Sequence, residues 1–306
     1  MKNKEHTIIE NAGSLRGLVD AFLHDRRAAG LSAMSIRFYR QSLTTFLLWA
    51  KRQDITQIDD ISPAVLRSFL INLKDTGHSD GGRHVFFRSL RAFLNWYAVE
   101  FDRPDFRNPI SKVKAPRLSP DPVEPPALDD ILALVDTCKD GSTGARDKSI
   151  FLTLLDTGAR AAELVALNLA DVNQMAGEIH IRRGKGNKSR TVFLGKVGRR
   201  ALRAYLKTRK DDAPALFVTI DGERLTYSGL RQIIRRRAAL AGIHPPQIHG
   251  FRRLFAVSML RANVDVYSLA KLMGHSSIQT LQKYLKLVDA DSKTAHIRGS
   301  PVDRLM

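Results

Sequence analysis

Seven of the twelve prolines in this 306-residue chain fall between Pro104 and Pro126. Proline has no backbone N–H to donate, and it pushes the residue before it out of the helical region. The stretch is therefore expected to hold no regular structure and to act as an extended, semi-stiff linker. It divides the chain into an N-terminal part, residues 1–113, and a C-terminal part beyond a linker at 114–126.

The N-terminal part carries apolar residues at helical spacing. Leu15, Leu18, Val19, Phe22 and Leu23 form one stripe, and Ile36, Phe38, Tyr39, Leu43, Phe46 and Leu47 a second. Ser62-Pro63 is a start signal, with proline at the first helical position. It opens a third stripe through Val65, Leu66, Phe69, Leu70 and Leu73. Gly81-Gly82 reads as a break before a fourth, from Val85 to Tyr97. Four amphipathic helices make a small all-α domain.

The C-terminal part begins with helical patterns at Ala127–Val135 and Arg146–Leu155. Glu178–Ile181 then alternates at strand period, as does Thr191–Leu194, and the Gly-rich basic run between them predicts a hairpin. From Lys196 helical periods return to the end. The fold expected is mainly α with a small antiparallel β-sheet.

Charge narrows the partners. Lys+Arg number 49 against 31 Asp+Glu, a net charge of +18. The surplus is 5 in residues 1–113 and 13 in residues 114–306, so both parts are attracted to polyanions, nucleic acid first. Cys138 is the only cysteine, which excludes a disulfide framework and a thiolate metal site within one chain. No signal peptide or membrane span is visible, and the expected location is cytoplasmic.

Several polar residues in the second part stand in settings suited to phosphate chemistry. Arg160 follows Gly158 at a turn-to-helix junction, from which its planar fork can take two phosphate oxygens. Glu163, three residues on, shares its helical face and can steer it. Taken alone, the pair is more often a surface salt bridge. Lys185 lies between Gly184 and Gly186 at the hairpin tip, where it can protonate a departing oxygen, with Lys188 and Arg190 on neighbouring phosphates. Taken alone, that run is a solvated basic turn.

His249 and Arg252 share a face near the start of the helix that follows Pro245-Pro246, where anions are favoured. Arg253 and Arg261 suit a snorkelling role. Gly274 suits a left-handed helix stop, with His275 just beyond it. Ser276 or Ser277 then caps a last helix, with Tyr284 about two turns in. A lone tyrosine there is usually a packing residue, and a phenol titrating near ~10 is a poor nucleophile unless cations stabilise its charge. Arg235-Arg236-Arg237 offers a further contact row for nucleic acid, or a solvated helix face.

The segments Thr157-Gly158-Ala159-Arg160-Ala161-Ala162-Glu163-Leu164, Gly184-Lys185-Gly186-Asn187-Lys188, His249-Gly250-Phe251-Arg252-Arg253, Leu272-Met273-Gly274-His275 and Thr280-x-x-x-Tyr284 together resemble the tyrosine recombinases of the phage integrase family, most of all its compact Xer-like branch. The resemblance covers nearly the whole chain. It implies a helical, SAM-like core-binding domain at 1–113, a C-terminal α+β catalytic domain of the DNA breaking-rejoining type at 127–289, and a tail at 290–306 that docks on a neighbouring subunit. It implies site-specific recombination through a 3′-phosphotyrosyl intermediate. Arg160, Lys185, His249, Arg252, His275 and Tyr284 match family active-site positions. Arg253 stands where many members carry His, outside that set.

The partners implied are double-stranded DNA with specific core sites and a tetramer of this chain, or of this chain with a related recombinase, with no cofactor, metal or membrane. Rival readings are a type IB topoisomerase, which shares the chemistry but needs no second site, and a non-catalytic DNA-binding regulator on the same fold. A metal-dependent nuclease is disfavoured, since the sequence has no tight Asp/Glu cluster or His-Glu-x-x-His run.

Overall fold

The computed structural model describes residues 14–118, 123–139, 141–182, 189–274, 278–285, 287–288, 300 and 302. By its internal contacts the chain divides after Pro120 into two compact units. The described linker residues, 114–118 and 123–126, carry no helix or strand. One part of the proline-rich stretch departs from expectation. Pro109–Lys112 forms a 3-10 turn, with proline at its start and Asn108 Oδ1 accepting from the Ile110 N–H. Ile110 and Val113 pack into the first unit's core.

That unit contains α1 (Leu15–Ala28), α2 (Ala33–Lys51), α3 (Pro63–Asp75) and α4 (Asp80–Phe101). Each starts on a serine whose hydroxyl accepts an N–H from the first turn: Ser14, Ser32, Ser62 and Ser79. Ser79 corrects the reading of Gly81-Gly82. Both glycines lie inside the first turn of α4, because the cap and the apolar stripe that follows outweigh their propensity cost. The core centres on the fully buried Phe22, edge-on to Tyr39, Phe93 and Trp96.

The second unit contains α5 (Leu128–Asp136), α6 (Ser142–Thr157), α7 (Ala161–Ala166), α8 (Lys196–Thr208), α9 (Tyr227–Ala241), α10 (Ile248–Arg261), α11 (Val266–Met273) and α12 (Gln282–Leu285). Its sheet is antiparallel, in the order β1 (Val172–Asn173), β2 (Glu178–Ile181), β3 (Arg190–Phe193). The predicted hairpin is present with Ile179 opposite Val192 and Ile181 opposite Arg190. The sequence pattern missed β1, which is two residues long. Residues 209–226, expected to be helical, are irregular, and Leu216 and Phe217 anchor them in the core. Phe151 of α6 stacks on Phe251 of α10 at 5.9 Å.

The row Arg235-Arg236-Arg237 needs correction. Asp147, fully buried on α6, accepts hydrogen bonds from Arg146, Arg236 and Arg237. Arg237 lies in phase with Leu230, seven residues earlier, and is itself buried, so it braces α9 against α6 and faces no ligand. Arg236 is half-exposed but ion-paired to the same carboxylate, and Arg235 alone stands exposed without a role in this hub.

Candidate active site

α6 ends at Gly158, whose φ of 58° is left-handed. A Cβ at this glycine would meet the Phe255 ring at 2.4 Å, so only glycine permits both the turn and the close packing of α10. The turn delivers Arg160 to the N-cap of α7. Glu163 accepts the Arg160 backbone N–H at 2.8 Å through Oε2 and the Arg160 Nη1 at 2.8 Å through Oε1. The Arg160 side chain stays 27% exposed while that of Glu163 is 4% exposed, so the cation is presented and its partner is hidden.

Arg252, on the second turn of α10, is 2% exposed. Its Nη1 donates to the Gly158 carbonyl and its Nη2 to the Met273 carbonyl, both at 2.6 Å. Burial pushes its pKa down to about 10, helped by neighbouring Arg160 and Arg190 and opposed by Glu163 and Tyr284. It stays protonated at neutral pH. His249 precedes it by three residues, exposed at the start of the same helix.

Gly274 ends α11 with φ 64°, as its sequence position suggested. Tyr284 sits in the single α-turn α12, which continues directly from a 3-10 turn, Ile278–Leu281, so it stands about two turns into that helical segment as expected, with the first turn 3-10 in place of α. The tyrosine is 1% exposed, packed in a cluster with Phe255, Met273 and Leu281. Burial raises its pKa, while the positive charges of Arg252, Arg253 and Arg160 pull it down. Arg253 therefore does more than snorkel: its charge reaches the phenol.

The structure thus brings Arg160, Glu163, Arg252 and Tyr284 into one electrostatic neighbourhood. Lys185, Lys188 and His275, with the serines proposed as caps, lie outside the described residues. Arg190 is a correction. Its side chain is 8% exposed and makes a two-pronged ion pair with Glu163, so it is not placed to hold a phosphate. Strand phase carried the signal: Arg190 lies opposite buried Ile181 and two residues from buried Val192, on the inward face. Among the described residues no three His, Cys, Asp or Glu side chains gather as metal ligands, and no helix is long and apolar enough to cross a membrane.

A model of the phage integrase family matches residues 127–290, and one of the phage integrase N-terminal SAM-like domain matches residues 19–100. The chain belongs to the phage integrase family. Within it, the tyrosine recombinase XerD of Oceanobacillus iheyensis is 31% identical over 288 residues, covering 90% of this chain and 95% of its own. The tyrosine recombinase XerC of Pseudomonas aeruginosa (strain PAO1) is 30% identical over 296 residues, covering 94% and 95%. The solved lambda integrase dimer bound to a COC′ core site superposes with TM-score 0.72 at 15% identity, covering 89% of this chain and 95% of that one. XerH recombinase bound to its difH substrate gives TM-score 0.69 at 19% identity, covering 91% and 82%. Both likenesses show the integrase fold.

Proposed function

We propose that this chain is a site-specific DNA recombinase that cuts and rejoins duplex DNA through a 3′-phosphotyrosyl bond to Tyr284. The observation that carries the reading is geometric: Arg160 and Arg252 meet at the end of α11, on the Gly274 and Met273 carbonyls, and buried Tyr284 packs against Met273. Burial holds its phenol pKa above the ordinary value, and the charges of Arg252, Arg253 and Arg160 offset only part of that rise. The Tyr284 oxygen attacks the scissile phosphorus as the bond to the 5′ oxygen breaks. Arg160 and Arg252 neutralise the non-bridging oxygens, the largest expected contribution to rate. Lys185 gives its proton to the leaving 5′ oxygen, His249 takes the phenol proton, and His275 hydrogen-bonds the phosphate. The new ester conserves the energy of the old one, so rejoining draws on no ATP, and these side chains assign no step to a metal.

The exchange partner is the 5′-hydroxyl of a second duplex. That requirement, with relatives named as tyrosine recombinases over about nine-tenths of the chain, favours recombination over topoisomerase-like relaxation or a non-catalytic regulator. The protein acts on core sites in cytoplasmic DNA as a tetramer, of one chain or of two related ones. A nicked suicide duplex from the gene's flanking DNA tests the reading. The expected product is a protease-sensitive covalent complex whose modified peptide contains Tyr284, and a modified serine or no adduct would refute it. Residues 290–306 serve subunit docking. Their deletion should weaken assembly on paired sites more than binding to one site in gel-shift titrations, and equal losses would count against the role.

A further inference from the structure

We propose that Arg190 is a positioning residue for strand cleavage, tying strand β3 to the Arg160–Glu163 pair and to the carboxyl end of α11. The proposal rests on the recombinase reading for its consequence, though not for its geometry. All three terminal nitrogens of Arg190 are committed. Nη1 and Nη2 donate to Glu163 Oε1 and Oε2 at 2.9 and 2.7 Å, and Nε donates to the Leu272 carbonyl at 2.9 Å. A Cβ on Gly274 would stand 3.0 Å from the Arg190 Cδ and Nη1, so the left-handed end of α11 is shaped around this side chain.

Three consecutive carbonyls at that helix end each accept from a different guanidinium. Leu272 takes Arg190, Met273 takes Arg252, and Gly274 takes Arg160 at 3.4 Å. Carbonyls in the last turn of a helix lack intrahelical partners and sit at the negative end of its dipole, which suits them to gather cations. Arg190 is the member of the trio whose guanidinium alone spans both Glu163 oxygens; Arg160 reaches one with its guanidinium and the other with its backbone N–H. With four donors on it, two from Arg160 and two from Arg190, the carboxylate has its accepting positions filled.

Charge gives this arrangement its function. Glu163 between two guanidiniums leaves a net positive charge for a phosphate. Without Arg190, Glu163 would lose two of its four donors, and the carboxylate that holds Arg160 in place would no longer be fixed or kept ionised. Burial alone would raise the Glu163 pKa, but hydrogen bonds from Arg190 and from the Arg160 backbone, then the charge of Arg190, outweigh it and hold it at about 2. The charged groups facing Glu163 among the described residues are Arg160, Arg190 and Arg252.

The test compares wild type, Arg190→Gln and Arg190→Lys in single-turnover cleavage of a suicide duplex and in anisotropy titrations on the same DNA. Arg190→Gln should cleave roughly 10–100-fold more slowly, as expected for a misplaced group, with DNA affinity nearly unchanged. With Arg190 gone and burial remaining, the Glu163 pKa rises, so the variant's rate relative to wild type should fall further as pH drops from 7 to 5. Arg190→Lys restores charge without the fork and should soften the acid loss while staying slow. It carries the test if Arg190→Gln does not fold. A wild-type rate, or parallel losses of affinity and rate, would overturn the proposal, as would a slowing that is the same at every pH.

Acid unfolding without DNA reads the geometry separately from the recombinase assignment. Glu163 is depressed below its unfolded value of 4.5, so its contribution to stability is present above that pH and lost as pH falls towards about 2. The stability advantage of wild type over Arg190→Gln should therefore shrink across that window. A constant difference would remove the Arg190–Glu163 coupling even if cleavage behaved as expected. Conversely, a shrinking difference in a protein that forms no adduct would spare the coupling and sink the recombinase reading.

Discussion

Tyr284→Phe should abolish the covalent protein–DNA complex while leaving DNA affinity within about twofold of wild type, because grip on a duplex comes from many dispersed cations. The substitution removes one oxygen from a ring that is 1% exposed among Phe255, Met273 and Leu281, so packing is kept and little stability is lost. Denaturing gels with labelled suicide duplex measure the adduct, and anisotropy measures binding. Any adduct in the variant would transfer the nucleophile's role to another residue. A matching collapse of affinity would mean that Tyr284 holds DNA instead of attacking it.

The fold was legible wherever apolar residues repeat over several turns. Leu15, Leu18, Val19, Phe22 and Leu23 predict α1, and all five are buried. The reading failed where a local device outweighed a residue's average behaviour. Ser79 caps α4 ahead of Gly81-Gly82, and Pro109 starts a 3-10 turn where prolines had suggested only extension. Strand β1 escaped because two residues cannot show a period. Its pairing depends on a turn at Gly177, φ 77°, with Asn173 Oδ1 accepting the Met175 and Ala176 N–H groups.

The motifs single out Arg160, Glu163, Arg252 and Tyr284 as candidates, and the structure places them in one neighbourhood, but a motif does not say which way each side chain faces. The basic runs suggest Arg190 as a phosphate contact and Arg237 as part of a row facing nucleic acid or solvent, because arginines in such runs usually face water. Each is in phase with buried neighbours, Arg190 with Val192 and Arg237 with Leu230. Each is also satisfied by a buried carboxylate from a distant segment, Glu163 and Asp147. That partner is what converts a costly buried charge into a structural brace, and no local pattern reveals it. The backbone acceptors of Arg252, the carbonyls of Gly158 and Met273, were invisible for the same reason.

Those two carbonyls make Arg252→Lys the most informative change after the nucleophile. Lysine keeps a positive charge but cannot span both carbonyls and still aim a planar fork at phosphate oxygens. Loss of one strong donor to the transition state is expected to slow cleavage by roughly 10²–10³-fold at pH 8. A second effect follows from burial, which already pulls the arginine well below its ordinary value, to about 10. A lysine begins from a lower value, ~10.4, so the same desolvation brings its deprotonation much closer to neutral pH. The charge needed by the transition state is then lost as pH rises. The rate of Arg252→Lys relative to wild type should fall between pH 6.5 and 8.5, and taking the ratio at each pH cancels the titration of histidines common to both proteins. A defect of constant size would show that geometry alone, and not the ammonium's protonation, accounts for it. Cleavage at the wild-type rate would remove Arg252 from the phosphate and leave it a brace between the end of α6 and the end of α11.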